Sequence, residues 1–116
     1  MKKIYHLSTC DTNKRILKEL NLSNEFIKQD IKMKSISVEE LEKMHELSGS
    51  YEVLFSKRAR LYNDRGLKNK SLEENDYKNL LLEHYTFLKR PVLINGDRIF
   101  VGNSKKTITS AKDSLI

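Results

Sequence analysis

Residues 89–101 read Lys-Arg-Pro-Val-Leu-Ile-Asn-Gly-Asp-Arg-Ile-Phe-Val, and this stretch carries a strong signal for secondary structure. Behind Pro91, the only proline, residues 92–94 form an apolar run that is typical of a buried strand. Residues 95–97, Asn-Gly-Asp, supply turn chemistry before a second, more polar strand-like run at 98–101. The stretch therefore predicts a β-hairpin that begins at Pro91.

The N-terminal third of the chain predicts a strand, a helix and a second strand. Residues 3–7 are short and apolar, as expected of a buried strand. Asp11 and Thr12 can accept hydrogen bonds from the free amides of a helix over about 12–20, which places Cys10 at its N-terminus. Imperfect alternation across 25–33 predicts the second strand.

The middle of the chain predicts helices. Ser37 with Glu40, and Ser71 with Glu74, fit the pattern of a capping box, and apolar residues at helical spacing follow each pair. Between them, residues 53–66 predict a further short helix.

A last helix is predicted after residues 102–104, so the order of elements is β-α-β, helices, then β-β-α. No repeat or linker interrupts it. The α/β architecture that fits this order is a thioredoxin-like mixed four-stranded sheet, with an inserted helical subdomain over about 37–88 of a single domain spanning 1–116.

Composition limits the possible functions. The 116 residues are 38% hydrophobic and 33% charged, with a net charge of +6. No apolar stretch approaches the roughly 20 residues of a membrane span, and the start lacks the apolar core of a signal peptide, so we expect a cytoplasmic protein. Much of the basic excess lies within 57–70, where no stacking aromatics or helix-turn-helix pattern favour sequence-specific DNA binding.

Cys10 is the single cysteine, which excludes an internal disulfide and a cysteine-rich zinc site. A lone cysteine is either a small buried apolar residue or a nucleophile. A helix N-terminus stabilises the thiolate, and Lys14, Arg15 and His6 would add positive charge, whereas Asp11 opposes them. We predict no metal site.

Arg90 is the second candidate functional residue. Pro91 restricts the residue before it and can fix the direction of the guanidinium, whose fork binds oxyanions well. The alternative interpretation is a surface arginine at the start of a strand.

Several motifs spread over nearly the whole chain occur together. They are Tyr5-His6 before Cys10, Leu54-Phe55 before a basic stretch to Tyr62, Gly66-Leu67, and His84 to Lys89-Arg90-Pro91-Val92-Leu93-Ile94 with Val101-Gly102. This combination resembles the arsenate reductase (ArsC) and Spx family. The resemblance implies a thioredoxin-like fold with an inserted helical subdomain, Cys10 as the nucleophile, and a cis peptide bond at Arg90–Pro91 beside it.

The chain departs from the family pattern at its oxyanion-binding positions. Lys14 stands where the arsenate-reducing branch has its first arginine, with Arg15 one residue later. The second arginine aligns with Ser56, close to Arg58, and the third is missing after the last strand. A lysine supplies charge but not the bidentate fork, so these departures weaken arsenate binding.

Asn13 stands where the Spx branch often has a second cysteine, so the chain has no internal redox switch, and we count Asn13 among the residues that support the thiolate.

Two functions follow from the resemblance. In the first, Cys10 attacks an oxyanion or a mixed disulfide, and glutathione or glutaredoxin resolves the adduct, with glutathione a co-substrate and no bound cofactor. In the second, the protein is a regulator that docks on RNA polymerase, and Cys10 is incidental or a sensor.

Overall fold

The computed structural model describes residues 1–116, in which four strands form one mixed sheet in the order β2-β1-β3-β4. The strands are β1 (Lys2–His6), β2 (Ile27–Asp30), β3 (Val92–Asn95) and β4 (Arg98–Val101). β1 pairs parallel with β2 and antiparallel with β3, and β3 pairs antiparallel with β4. The predicted mixed four-stranded sheet is thus confirmed.

Five α-helices and three short 3₁₀ turns make up the rest of the regular structure. The helices are α1 (Asp11–Leu20), α2 (Val38–Ser48), α3 (Arg60–Asp64), α4 (Glu74–Glu83) and α5 (Lys105–Ser114). The 3₁₀ turns span Glu52–Leu54, Leu67–Asn69 and Tyr85–Phe87. No helix has both the length and the apolar character that crossing a membrane requires.

The chain divides into two compact units. The sheet unit consists of residues 1–34 and 90–116, and the helical unit of residues 35–89. The sheet unit contains all four strands together with α1 and α5, whereas the helical unit contains α2, α3, α4 and the 3₁₀ turns.

The core of the sheet unit forms where α1 and α5 pack on one face of the sheet. Its buried members come from β1, α1, the segment before β2, β3 and α5: Ile4, Ile16, Leu20, Phe26, Leu93, Ile108 and Ala111. Residues 92–94 are all buried because β3 is a central strand, which explains their uninterrupted apolar run.

The β3–β4 hairpin turns at Gly96 and Asp97, as the sequence predicts, and Gly96 has the positive φ of 67° that this turn requires. The Gly96 amide donates to the carbonyl of Met1 at 2.8 Å. The Asn95 side-chain amide donates to the carbonyl of Ser114 at 3.0 Å. The tip of the hairpin is therefore tied to Met1, just before β1, and to the end of α5.

Two predicted helix starts need correction. Cys10 itself, and neither Asp11 nor Thr12, is the N-cap residue of α1, because Asp11 already has helical geometry. The N-cap of α4 is Glu73, whose backbone amide donates to the Asp76 carboxylate at 2.8 Å, so the predicted box at Ser71 lies two residues too early.

Two predicted spans were too long. The second strand covers only Ile27–Asp30 of the predicted 25–33. Residues 53–66 do not form one helix, because the chain becomes extended at Phe55 and bridges to Leu88 before α3 begins. This backbone pairing is between distant residues, and a local pattern does not reveal it.

Candidate active site

One edge of the sheet brings together the chain segments that hold most of the predicted site residues. His6, at the end of β1, lies opposite Asp30, at the end of the parallel strand β2. Tyr5 lies opposite Val92 in the antiparallel pair, so Pro91 enters the sheet at this same edge. The loop between β1 and α1 and the Arg90–Pro91 segment therefore lie at the same end of the sheet.

The Arg90–Pro91 peptide bond is cis. The carbonyl of Pro91 accepts a hydrogen bond from the amide of Gly102 at 2.9 Å, which extends the β3–β4 pairing to this edge. Arg90 is partly buried here.

Cys10 lies at the N-terminus of α1, as predicted. Its backbone is extended, with φ −97° and ψ 117°, and its side chain makes no capping hydrogen bond. The thiol is therefore not used to satisfy the amides of the first turn, whose partial positive charge favours an anion. Because Cys10 is only partly buried, a reactant can approach the sulfur.

Asn13 joins the thiol to the loop before it. Its side chain is 1% exposed. The side-chain oxygen accepts from the amide of Leu7 at 3.0 Å, and the side-chain amide donates to Cys10 Sγ at 3.7 Å. We call residues 7–10 the thiol loop, which is closed by a hydrogen bond from the Cys10 amide to the Leu7 carbonyl at 3.1 Å.

The predicted cationic residues of α1 are both exposed. Lys14 Nζ lies 4.0 Å from the carboxylate of Asp11, so these two charges partly offset each other in the first turn. Arg15 lies one residue further along the helix. Arg58 belongs to the helical unit, where it is exposed and precedes Ala59, the N-cap residue of α3.

His6 is partly buried at the end of β1, and its Nδ1 is buried without a hydrogen-bond partner. Burial lowers the pKa of His6, the nearby Asp30 carboxylate acts in the opposite direction, and Lys28 adds to the lowering. The net pKa is below the ordinary value, so neutral His6 is favoured near neutral pH.

Ser8 and Asp30 are not among the site residues predicted from the sequence. The Ser8 hydroxyl donates to the Asp30 carboxylate across the sheet edge, and this hydrogen bond is the main cause that lowers the pKa of Asp30. A Ser directly after one strand and an Asp at the end of its parallel neighbour was the available signal. This signal is weak, because the imperfect alternation across 25–33 does not fix the register of the second strand.

No group of three or more His, Cys, Asp or Glu side chains is arranged to hold a metal ion. His45 stacks on Tyr51, with ring centroids 4.0 Å apart. His84 Nδ1 accepts a hydrogen bond from the amide of Thr86 at 3.2 Å. Both histidines thus have contacts within the helical unit.

A partly exposed thiol at a helix start, with a side-chain amide donating to the sulfur, is suited to nucleophilic attack. Since there is no second cysteine, any sulfur adduct of Cys10 must be resolved by another molecule. The fold and this arrangement define a thioredoxin-like protein with a single thiol.

The chain belongs to the ArsC family, which residues 5–111 match. It is 29% identical over 110 residues to an arsenate reductase of Haemophilus influenzae, covering 90% of this chain and 93% of that protein. It is 26% identical over 103 residues to the global transcriptional regulator Spx 2 of Bacillus cereus, covering 87% of this chain and 76% of that protein.

The fold matches that of a solved structure, the YFFB (PA3664) protein, with a TM-score of 0.80, 22% sequence identity and 100% of both chains covered. The resemblance to the ArsC and Spx family and the predicted thioredoxin-like fold are thus confirmed.

Proposed function

We propose that this protein is an ArsC-like thiol oxidoreductase in which Cys10 is the nucleophile. The observation that carries the proposal is the position of Cys10 at the N-cap of α1, with the Asn13 side-chain amide donating to its sulfur. The amide and the helix terminus both stabilise negative charge on the sulfur, and the thiolate is the reactive form. Similarity to an arsenate reductase over most of both chains supports the same class of chemistry.

The preferred substrate is a mixed disulfide between a protein or small thiol and glutathione. The Cys10 thiolate attacks the glutathione sulfur, the S–S bond breaks, and the other thiol leaves as its thiolate. A second glutathione thiolate then attacks the Cys10–glutathione disulfide, releasing oxidised glutathione and regenerating the Cys10 thiolate. Glutaredoxin can replace this second glutathione, and a cytoplasmic location would supply both reduced thiols.

Arsenate is the weaker substrate in this proposal. Its reduction consumes two glutathione thiols per arsenate and yields arsenite, oxidised glutathione and water, with Cys10 displacing an arsenate oxygen in the first step. Of the three arginine positions of the family, only Arg90 is matched. At another of these positions, Lys14 supplies a point charge in place of an arginine, and this charge lies close to Asp11. An oxyanion bound there loses the bidentate contacts that a guanidinium would make.

The test compares the wild-type protein with Cys10→Ser in two assays, one with a glutathionylated peptide and one with arsenate. Glutathione and glutaredoxin serve as donors. We expect release of the peptide thiol well above the Cys10→Ser blank and slow turnover of arsenate. If neither activity exceeds the blank, the protein is not an oxidoreductase of this kind.

Arg90→Ala tests the role of the remaining arginine, and the exposed Arg98→Ala, at the hairpin end of the sheet, is its matched control. Loss of one charge-assisted contact should slow arsenate reduction by about tenfold or more in Arg90→Ala alone. Efficient arsenate turnover in the wild type that Arg90→Ala abolishes would reverse the proposed order of the substrates.

A second candidate function is a regulator that docks on RNA polymerase. The observation in its favour is the 26% identity to Spx 2 over 87% of this chain. RNA polymerase retained by immobilised wild-type protein and by Cys10→Ser alike, with no activity in either assay, would favour this function over the oxidoreductase.

A further inference from the structure

We infer that Asp30 is a positioning residue for Cys10 and acts through the Ser8 hydroxyl, an inference that rests on the proposed role of Cys10 as nucleophile. The thiol loop is held from two sides. Asn13 of α1 bonds the Leu7 amide, and Asp30 of β2 bonds the Ser8 hydroxyl. The first anchor fixes the loop to the helix that follows it, and the second fixes it to the sheet.

The Asp30 carboxylate is itself fixed in direction. One oxygen accepts from Ser8, and the other accepts from the Lys32 amide at 3.1 Å. The backbone next to it is held by a hydrogen bond from the Ile31 amide to the His6 carbonyl at 2.9 Å, which continues the β1–β2 ladder. A carboxylate held at both oxygens can restrict a flexible loop, because its own rotamers are already restricted.

The same carboxylate supplies negative charge beside His6. Its hydrogen bond from Ser8 lowers the pKa of Asp30, so the group remains ionised throughout the pH range in which thiol exchange proceeds. The charged groups acting on His6 come from β2, namely Asp30 and Lys28. α1 contributes Asp11 and Lys14, which face each other, and Arg90 enters at the same sheet edge.

The role of Asp30 in anchoring the thiol loop and its electrostatic effect on His6 can be separated by substitution. Ser8→Ala removes the hydrogen bond to the loop and leaves the charge, whereas Asp30→Asn removes the charge and leaves an oxygen that can accept from Ser8. Asp30→Glu keeps the charge on a longer side chain. Asp97→Asn, in the turn at the opposite end of the sheet, removes one exposed carboxylate and is the matched control.

The first measurement is the rate at which iodoacetamide alkylates Cys10, with thermal unfolding followed in parallel. Loss of one hydrogen bond should slow alkylation by about fivefold in Ser8→Ala, while thermal unfolding shows that the variant remains folded at the assay temperature. The double variant Ser8→Ala/Asp30→Ala should react as fast as Asp30→Ala alone, because either change removes the same contact. Effects that multiply in the double variant, or an unchanged rate in Ser8→Ala, would overturn the inference.

The second measurement is the NMR titration of the three histidines, assigned by single His→Gln variants. Because Asp30 favours protonated His6, the His6 midpoint should move to lower pH in Asp30→Asn, return in Asp30→Glu and stay unchanged in Asp97→Asn. A His6 midpoint that is the same in Asp30→Asn and wild type would contradict the placement of this charge.

Neither measurement needs a substrate or an electron donor. Absence of turnover in the wild type would therefore defeat the proposed function, while alkylation and titration would still decide whether Asp30 positions the thiol loop.

Discussion

The sheet unit and the helical unit both pair carboxylates with cations, but only the sheet unit holds the cysteine and a histidine with an unbonded buried nitrogen. In the helical unit, carboxylates bond to neighbouring cations and backbone amides: Glu52 to Lys57, Glu83 to Arg65, Glu42 to Lys78, and Glu74 to the amides of Tyr51 and Glu52. In the sheet unit, the thiol has an amide donor, and His6 has a buried nitrogen without a hydrogen-bond partner.

The clustering of basic residues in the sequence therefore does not indicate where the reactive residues lie. Residues 57–70 hold much of the basic excess of the sequence, yet Lys57 and Arg65 are paired within the helical unit. The reactive arrangement lies instead at the end of the sheet, where the side chains of Asn13 and Asp30 bond to the thiol loop.

Phe55→Ala should have the largest effect on stability. Phe55 is 1% exposed, and its ring contacts those of Tyr62, Tyr77 and Phe87 in the helical unit. Truncation of a buried Phe removes these contacts and leaves a cavity, at a cost of about 3–5 kcal/mol. Urea unfolding measures the loss.

The matched variant is Phe100→Ala in the sheet unit, where the ring is only partly buried against the core. Phe100→Ala should lower the free energy of unfolding clearly less than Phe55→Ala does. A loss in Phe55→Ala no larger than that in Phe100→Ala would mean that the aromatic cluster contributes less to stability than its burial implies.

Asn13→Ala should lower both stability and reactivity. It leaves the Leu7 amide without its side-chain acceptor and removes the donor to Cys10 Sγ. An unsatisfied buried amide costs about 1–3 kcal/mol. Urea unfolding and the iodoacetamide rate at neutral pH measure the two effects.

Asn13→Asp keeps an acceptor for Leu7 but places negative charge beside the sulfur. It should therefore slow alkylation at least as much as Asn13→Ala does. A faster reaction in either variant would exclude Asn13 from stabilising the thiolate.

Glu74→Gln should destabilise the helical unit by about 1 kcal/mol, because it weakens the charge-assisted cap on the 3₁₀ turn Glu52–Leu54. Burial opposes ionisation, but hydrogen bonds from the Tyr51 and Glu52 amides and from Ser50 outweigh it and lower the pKa of Glu74. Its contribution is therefore complete above the ordinary Glu pKa and is lost as the pH falls through the folded-state value.

Hydrogen exchange at pH 7 and at a pH well below the ordinary Glu pKa shows whether protonation of Glu74 releases the cap. The amides of Tyr51 and Glu52 should lose protection at low pH in the wild type and depend less on pH in Glu74→Gln. The control is Glu73→Gln, at the N-cap of α4, which leaves the Glu74 contacts in place. An identical pH dependence in wild type and Glu74→Gln would contradict the capping role.

Lys57→Gln should have the smallest effect. Its ammonium lies 2.7 Å from the Glu52 carboxylate, and hydrogen bonding to Glu52 raises the pKa of Lys57. Both groups are well exposed, and such pairs contribute little because water competes for them. The unfolding midpoint should match that of Lys68→Gln, another exposed lysine of the same unit. A clear loss in Lys57→Gln alone would mean that this pair stabilises the helical unit.

The elements that the sequence predicted well depend on neighbouring residues. The Ser37–Glu40 capping box opens α2, and the Asn95-Gly96 turn joins β3 to β4, because each motif satisfies backbone groups within a few positions. Cys10 at a helix start could be predicted for the same reason.

The features that escaped prediction join distant parts of the chain. Ser8 and Asp30 are 22 residues apart, and their contact depends on the register of β1 and β2. The interruption of helical structure at Phe55 depends on its backbone pairing with Leu88. Since many pairings are compatible with one local pattern, only the folded backbone selects among them.

The hairpin tip also affects the chemical degradation of this protein. An Asn-Gly pair is the sequence most prone to deamidation, in which the glycine nitrogen attacks the asparagine side-chain carbonyl and ammonia leaves. Here the Gly96 nitrogen is engaged with the Met1 carbonyl, and the Asn95 amide is held by Ser114. Closing the five-membered ring would require breaking both contacts. The folded hairpin thus protects Asn95 from deamidation. Conversion of Asn95 to aspartate or isoaspartate would indicate molecules in which the hairpin has opened.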